Sequence, residues 1–425
     1  MKIAIFTDCY LDLTGGIVTT INAEKEELER RGNTVYVFSS AYPKGRAERE
    51  ELAKKHIYPV PSCKVFGRGA TPIARRPRVI EKWIEKEHPE VREFDIYYIH
   101  YEAGCSIAGI RLARKWGVPV AQVMHGREDM GESSLVPWGM RTCVAVMLNM
   151  FHSWYLPHSV KVAKDTNQAP TLARAKMWTL MVNHANASDV VITPSEHFAR
   201  LLKEYGVMRP IEVLHHGVPD EMVERPAEVR EKAEGEPLRI IWHSRVSAEK
   251  RILPFLEALK KLKHGTYRLD VYGDGVELPQ AKMYAATHRL NAKFHGVVGT
   301  AEIEEALASA QLDVLVSYNY DTFGMTLIEA EARGVPVLIV DPALREILPR
   351  GGYICAQDQS PKAMAEALRG VIEKPESIRE MSKVMLDHRE EIRNSVKVDK
   401  LLKIFYSIIS VEKCSKKSKK LMKKS

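Results

Sequence analysis

Short apolar runs bounded by Gly, Pro, Asp and Ser recur along the chain, and most are followed by a longer stretch with apolar positions at helical spacing. Residues 3–7 read as a strand, 18–31 as a helix stopped at Gly32, and 34–39 as the next strand. The same rhythm returns with strands at 95–100 and 118–123 around a helix at 104–116. It returns again with strands at 189–193 and 211–214 around a helix at 196–205. The second half repeats it, with strands at 238–243, 269–272, 292–296, 312–316 and 335–340 and helices at 253–262 and 325–333. A last strand is expected at 351–354, and helices at 361–373, 377–394 and 396–410 end the pattern. Continuous apolar strands alternating with helices predict parallel sheets buried on both faces, an α/β class of the doubly wound kind.

A chain of 425 residues exceeds what one core usually organises, so two domains are expected. The charged, Pro- and Gly-containing stretch 220–237 reads as a linker between a first domain at 1–219 and a second at 238–395. A closing helix follows at 396–411, and a tail at 412–425 that is expected to be disordered. No apolar run approaches the roughly 20 residues of a membrane span. The strand at 3–7 begins so close to Met1 that no signal peptide is expected, and the protein is expected in the cytoplasm. Six scattered cysteines without C-x-x-C spacing suggest neither a zinc site nor a disulfide framework. The net charge of +8 is local: the seven lysines at 413, 416, 417, 419, 420, 423 and 424 account for all but +1 of it. General nucleic-acid binding by the domains is therefore not indicated.

Candidate chemistry gathers where strands end. In residues 317–341 a strand runs into the loop Tyr-Asn-Tyr-Asp-Thr-Phe-Gly, then a helix from Met325, then the strand 335–340. The amides of Gly324, Met325 and Thr326 would face an anion at the helix start, with Asp321 in the loop and Glu329 eight residues later on the helix. Acids on both sides of an amide-lined turn suit a ligand with hydroxyls at both ends and phosphate between, as in a nucleotide sugar. The alternative is an ordinary βαβ unit with solvated acids. Gly15-Gly16 opens the first helix and permits close approach of backbone to phosphate, without dinucleotide-fingerprint spacing. Arg245 and Lys250 flank a strand-to-helix turn as a diphosphate clamp, a planar fork beside a point charge. His125 is delivered by the strand 118–123, and Asp129 is the nearest candidate for a base or nucleophile.

Asp321-Thr-Phe-Gly-Met-Thr-Leu-Ile-Glu329-Ala, running on to Gly334-Val-Pro-Val, resembles the E-x7-E signature of the retaining, GT-B-fold glycosyltransferases of family 4, with Asp321 where Glu is usual. Arg245 and Lys250 match that family's G-R-x4-K pattern, with His243-Ser244 before the Arg. The Val-Pro-Val strand running into His125-Gly126 is similar to its segment carrying the active-site His, and Gly15-Gly16 to the loop facing the donor diphosphate. The resemblance implies two Rossmann-like domains facing a cleft, the last helix crossing back to the first domain. It also implies transfer of a hexose from a nucleoside diphosphate sugar, with UDP-hexose first, to an acceptor hydroxyl with retention. Glu329 would hold the ribose, Asp321 the O3 and O4 side of the sugar, and Arg245 with Lys250 the leaving diphosphate. The amides of 324–326 would serve sugar and phosphate oxygens, and His125 the C6 hydroxyl. No cofactor is implied, and no D-x-D metal motif is present, so transfer is expected to be metal-independent.

The N-terminal Ile-Phe-Thr-Asp and His125 with Glu128-Asp129 look similar to the diacylglycerol glucosyltransferases, which makes a membrane lipid the leading acceptor. A soluble sugar or glycan acceptor, and a catalytically silent binding protein of this fold, remain the alternatives. The apolar, aromatic-ended segment 138–156 suits either a bilayer interface or packing beside an acceptor pocket. Together with the lysine tail it predicts a peripheral enzyme on an anionic membrane surface.

Overall fold

The computed structural model describes residues 1–11, 16–42, 45–63, 72–129, 136 and 138–422, with side chains left out at 138 and 412–422. The chain forms two compact units, Met1–Leu214 with Lys397–Ser425, and His215–Val396.

The first unit is built on strands β1 (Lys2–Thr7), β2 (Thr34–Ser40) and β3 (Ile57–Val60). A small antiparallel ribbon, β4 (Ser62–Cys63) with β5 (Ile73–Ala74), precedes β6 (Ile96–His100), β7 (Val120–Val123), β8 (Val190–Thr193) and β9 (Ile211–Val213). Seven of these make a fully parallel sheet in the order β3-β2-β1-β6-β7-β8-β9. Period-two alternation explains why β1 is apolar from Ile3 to Phe6. Ala4 and Phe6 enter one core with Phe38, Tyr97 and Ile99, whereas Ile3 and Ile5 enter the other with Ile21, Val35 and Tyr98.

That second core is completed by the end of the chain. Val398, Leu401, Phe405, Ile408 and Ile409 lie along one stripe of the helix Asn394–Met422, and Phe405 meets Tyr98 edge-on at 5.1 Å. On the same helix Lys397 is buried against Glu24. The helix passes the expected end at 411 and continues to Met422, so the stretch expected to be disordered is helical that far. Lysine is a good helix former, and between 394 and 422 neither Gly nor Pro interrupts the run.

The second unit carries β10 (Leu238–His243), β11 (Tyr267–Tyr272), β12 (Ala292–Gly296), β13 (Leu312–Leu315), β14 (Val337–Ile339) and β15 (Tyr353–Cys355). They form a parallel sheet in the order β12-β11-β10-β13-β14-β15. Here too alternate residues serve two cores. Leu238, Ile240 and Trp242 face one, while Ile241, Leu315 and Ile339 face the other, against the helix Met325–Ala332. The expected linker is not free chain. Residues 215–237 belong to the second unit, and the short helix Asp220–Glu224 buries Met222 and Val223 in that latter core. Charge in this stretch masked two apolar anchors.

In the first unit the apolar segment forms the helix Arg141–Ser153, which packs against the later helix Leu172–Ala185. A chain of imidazoles ties them to the sheet. His152 Nδ1 lies 2.7 Å from His158 Nε2, His152 Nε2 lies 3.0 Å from His184 Nδ1, and His184 Nε2 lies 3.1 Å from Gln122 Oε1. Burial holds His152 well below the usual imidazole range and lowers His184 to about 3. Both are neutral in the native state and protonate readily once unfolded, near pH 6.5. Their contribution is therefore present above about pH 6.5 and is lost as pH falls toward their native values, by up to about 1.4 kcal/mol per imidazole per pH unit. Urea denaturation should give a lower midpoint near pH 5 than near pH 7.5, and His184→Gln should flatten that dependence. An unchanged slope in the variant contradicts the assignment.

Candidate active site

Most of the candidate residues come together within the second unit, at the carboxyl ends of β10 and β13. After β10 the chain runs through Ser244 and Arg245 to a short turn, Ala248–Lys250, and then the helix Ile252–Lys260. This loop is held by its neighbour: Val246 N donates to Asp274 O at 3.0 Å, and a Cβ on Gly273 would lie 2.2 Å from Ser244 O. Gly273, at φ +129°, is therefore required by backbone approach. The Gly-Asp-Gly that follows β11 thus supports the clamp loop, a role its sequence pattern did not announce.

After β13 the loop through Asp321 reaches Gly324, which caps the helix Met325–Ala332 at φ +83°. A Cβ there would meet Leu315 Cδ2 at 2.7 Å and crowd Leu327. The turn places Met325 and Thr326 in the first helical turn, where amides lack intrahelical acceptors and the dipole favours anions. The hydroxyl of Thr326 is buried without a hydrogen-bond partner among the described residues.

The two loops meet through side chains. Lys250 Nζ donates to Asp321 Oδ1 at 2.7 Å and to Oδ2 at 2.9 Å, and Ser317 donates to the same carboxylate. Arg245 Nη2 donates to the Tyr320 hydroxyl at 2.9 Å and lies 3.3 Å from Glu249 Oε1. Lys250 also sits 5.6 Å from the Tyr320 ring centre. The structure thus brings Arg245, Lys250, Asp321 and Gly324 with Met325 and Thr326 into one neighbourhood. Asp321 is engaged with Lys250 through both oxygens, a partnership that spacing alone did not suggest.

Glu329, one helical turn beyond Met325, is partly exposed, and its Oε2 lies 3.4 Å from His243 Nδ1. His243 Nε2 lies 3.2 Å from Asp313 Oδ2, and the His243 and Asp313 side chains are 3% and 0% exposed. Burial works against charging His243, but Asp313 and Glu329 outweigh it and push it up to about 10, so it is an imidazolium at neutral pH. In the sequence, His243 stands out only as a departure from the family pattern before Arg245. A His ending the apolar run Ile240-Ile241-Trp242 is the available signal.

In the first unit, His125 follows β7, its Nε2 2.8 Å from His100 Nδ1 and the rings stacked at 5.0 Å. His100 Nε2 lies 3.9 Å from Glu24 Oε2, and Glu24 pairs with Lys397. Burial, reinforced by the Lys397 charge, lowers His125 to about 3, so it offers a neutral ring. Asp129, the candidate base, is engaged through both oxygens: Arg127 Nε and Nη2 donate to them at 2.7 and 2.8 Å, the pair is buried, and the guanidinium lies over Trp178. Gly16 begins the helix Gly16–Arg30, and Gly15 lies outside the described residues. Among the described residues no three His, Cys, Asp or Glu side chains group to hold a metal ion.

Residues 14–222 match the family described as Glycosyltransferase Family 4, and residues 224–385 match Glycosyl transferases group 1. The alpha-monoglucosyldiacylglycerol synthase of Streptococcus pneumoniae is 26% identical over 354 residues, covering 80% of this chain and 70% of that protein. A GDP-mannose-dependent alpha-mannosyltransferase of Mycobacterium tuberculosis is 24% identical over 80% of this chain and 79% of its own. The structure of Anabaena HepE in complex with UDP superposes with a TM-score of 0.65 at 15% identity, covering 96% of this chain and 100% of that one. With two parallel-sheet units of this topology and both halves matched, the chain is a glycosyltransferase of the GT-B fold and belongs to the family 4 and group 1 glycosyltransferases.

Proposed function

We propose that this enzyme transfers a hexose, with retention, from a nucleoside diphosphate sugar to the hydroxyl of a diacylglycerol-type lipid, UDP-hexose being the first donor to try. The observation that carries the donor half is the arrangement in the second unit. Glu329 is braced at one carboxylate oxygen a turn beyond a glycine-capped helix start, and Arg245 and Lys250 lie on the adjoining loop. Such a set can take ribose hydroxyls on the acid and a diphosphate on the amides and cations.

In the proposed reaction the acceptor oxygen bonds to the anomeric carbon as the bond from that carbon to the phosphate oxygen breaks. The electron pair leaves with the diphosphate, whose departing oxygen takes the acceptor proton. Arg245 and Lys250 stabilise the charge developing there, which is electrostatic catalysis by groups already in place. His125 is assigned to a sugar hydroxyl as a neutral hydrogen-bonding ring. Neither Asp321, gripped by Lys250, nor Asp129, gripped by Arg127, is a free nucleophile, which supports front-face retention over a covalent intermediate.

The lipid acceptor is supported by the relative named for monoglucosyldiacylglycerol synthesis and by the outer face of the helix Arg141–Ser153. Met147 and Met150 on it, with Trp154 just beyond, stand 54%, 47% and 63% exposed at helical spacing. Lys161 and Lys164 lie exposed on the following segment. No helix among the described residues is long and apolar enough to cross a membrane, so contact would be interfacial. The mannosyltransferase relative supports GDP as the second donor nucleotide to test.

Glu329→Ala should weaken UDP or GDP binding by about 10- to 100-fold in calorimetry, since a charged acceptor for ribose is lost. Asp321→Glu should keep or raise transfer activity. Equal affinity in the Ala variant removes the ribose assignment.

Transfer should persist in EDTA, with Arg245 and Lys250 neutralising the diphosphate. Loss in chelator with recovery on adding magnesium or manganese would refute that.

Anionic vesicles should sediment full-length protein at low salt, with less bound at high salt. Truncation at Lys413 should weaken the interaction appreciably, each lysine near the surface being worth about 1 kcal/mol before screening. Equal pelleting of both forms would leave the tail without an anchoring role.

A further inference from the structure

β10 is apolar at every inward position until its last residue. Leu238, Ile240 and Trp242 serve one core and Ile241 the other, so period two turns His243 toward the face covered by the helix Met325–Ala332. On the adjacent strand Asp313 pairs in register with Ile241 and lies two residues before Leu315, which belongs to that same core. An imidazole and a carboxylate, 3% and 0% exposed, thus occupy positions where two apolar side chains would pack without desolvating charge. Asp313 Oδ1 is left buried without a hydrogen-bond partner among the described residues.

What the pair does is visible on its other side. His243 presents Nε2 to Asp313 Oδ2 at 3.2 Å and Nδ1 to Glu329 Oε2 at 3.4 Å. Asp313, fixed in the sheet, sets the tilt of the ring, and the ring holds one oxygen of a longer, partly exposed side chain. Glu329 Oε1 has no partner among the described residues. The carboxylate is therefore tethered through one oxygen with the other left to accept.

We propose that His243 is the positioning residue of the nucleotide site, its ring, backed by Asp313, fixing Glu329 so that Oε1 meets the ribose hydroxyls of a nucleoside diphosphate. This rests on the assignment of Glu329 to the ribose. A glutamate free to rotate would sacrifice side-chain entropy on every binding event, and the tether removes that cost in advance. His243 touches no ligand in this scheme and acts only through Glu329.

The test is calorimetry on the full chain with UDP and GDP, each beside its 2′,3′-dideoxy form. Wild type should bind the ribonucleotide more tightly than the dideoxy form, and Glu329→Gln should largely erase that preference. His243→Gln should weaken the ribonucleotide by about tenfold and leave the dideoxy form within about twofold of wild type. Because His243→Gln leaves Asp313 buried without its cation and can cost folding, Asp313→Asn serves as the second variant, with the same selective loss expected. In donor kinetics the loss should appear in KM with kcat retained. If ribonucleotide and dideoxynucleotide weaken equally in both variants, His243 is merely structural and the proposal fails. If both variants keep the wild-type preference while Glu329→Gln loses it, the tether has no role and the proposal fails alone. If Glu329→Gln keeps the preference, the ribose assignment itself falls, and the proposal with it.

Discussion

The second unit of this enzyme depends on one ion pair, Lys250 with Asp321, which joins the loop after β10 to the loop after β13. Both side chains are nearly buried, at 11% and 13% exposure, so removing either partner strands a charge, typically at a cost of about 3–5 kcal/mol. Geometry on each side of the pair is enforced by backbone. Gly273 lets the β11 loop press on Ser244, and Gly324 turns the β13 loop into its helix under Leu315. Two loops so constrained hold their charges and amides in place before any ligand arrives, which is the condition for effective electrostatic stabilisation of a leaving group. Beside the pair, the more exposed Arg245 rests against Tyr320 and Glu249.

Histidine is used in opposite ways in the two units. His125 has another imidazole and the Lys397 charge for neighbours, and burial leaves it neutral. His243, equally buried, has two carboxylates and is charged. Partner chemistry, more than burial, decides which form persists. The first unit accordingly supplies a hydrogen-bonding ring whose state does not change near neutrality. The second spends its imidazolium inside the protein, bracing an acid.

Much of this was legible from residue order. Apolar runs of four to six residues marked nearly every strand of both sheets, because strands buried on two faces carry few polar positions to confuse the pattern. Asp321, Glu329, Arg245 and Lys250 stood out by spacing from strand ends. Pairing was hidden: nothing in sequence says that Lys250 grips Asp321 or that Asp313 lies across from His243, since each depends on which strands become neighbours, and the Arg127–Asp129 pair depends on how the chain turns after β7. Boundaries blurred where charge outweighed a few apolar anchors, as at Met222 and Val223 in the presumed linker. Past 411, clustered lysines suggested disorder, although a run without Gly or Pro continues a helix already docked through Phe405 and Ile409.

The central claim is that the second unit holds the nucleoside diphosphate between the loop after β10 and the start of the helix Met325–Ala332. Amide hydrogen exchange of the full-length enzyme, with and without saturating UDP or GDP, tests it most directly. Exchange should slow at residues 243–250 and 317–329 while the strands of both sheets stay unchanged. Protection confined to other segments, with these two as fast as in the free enzyme, would contradict the account.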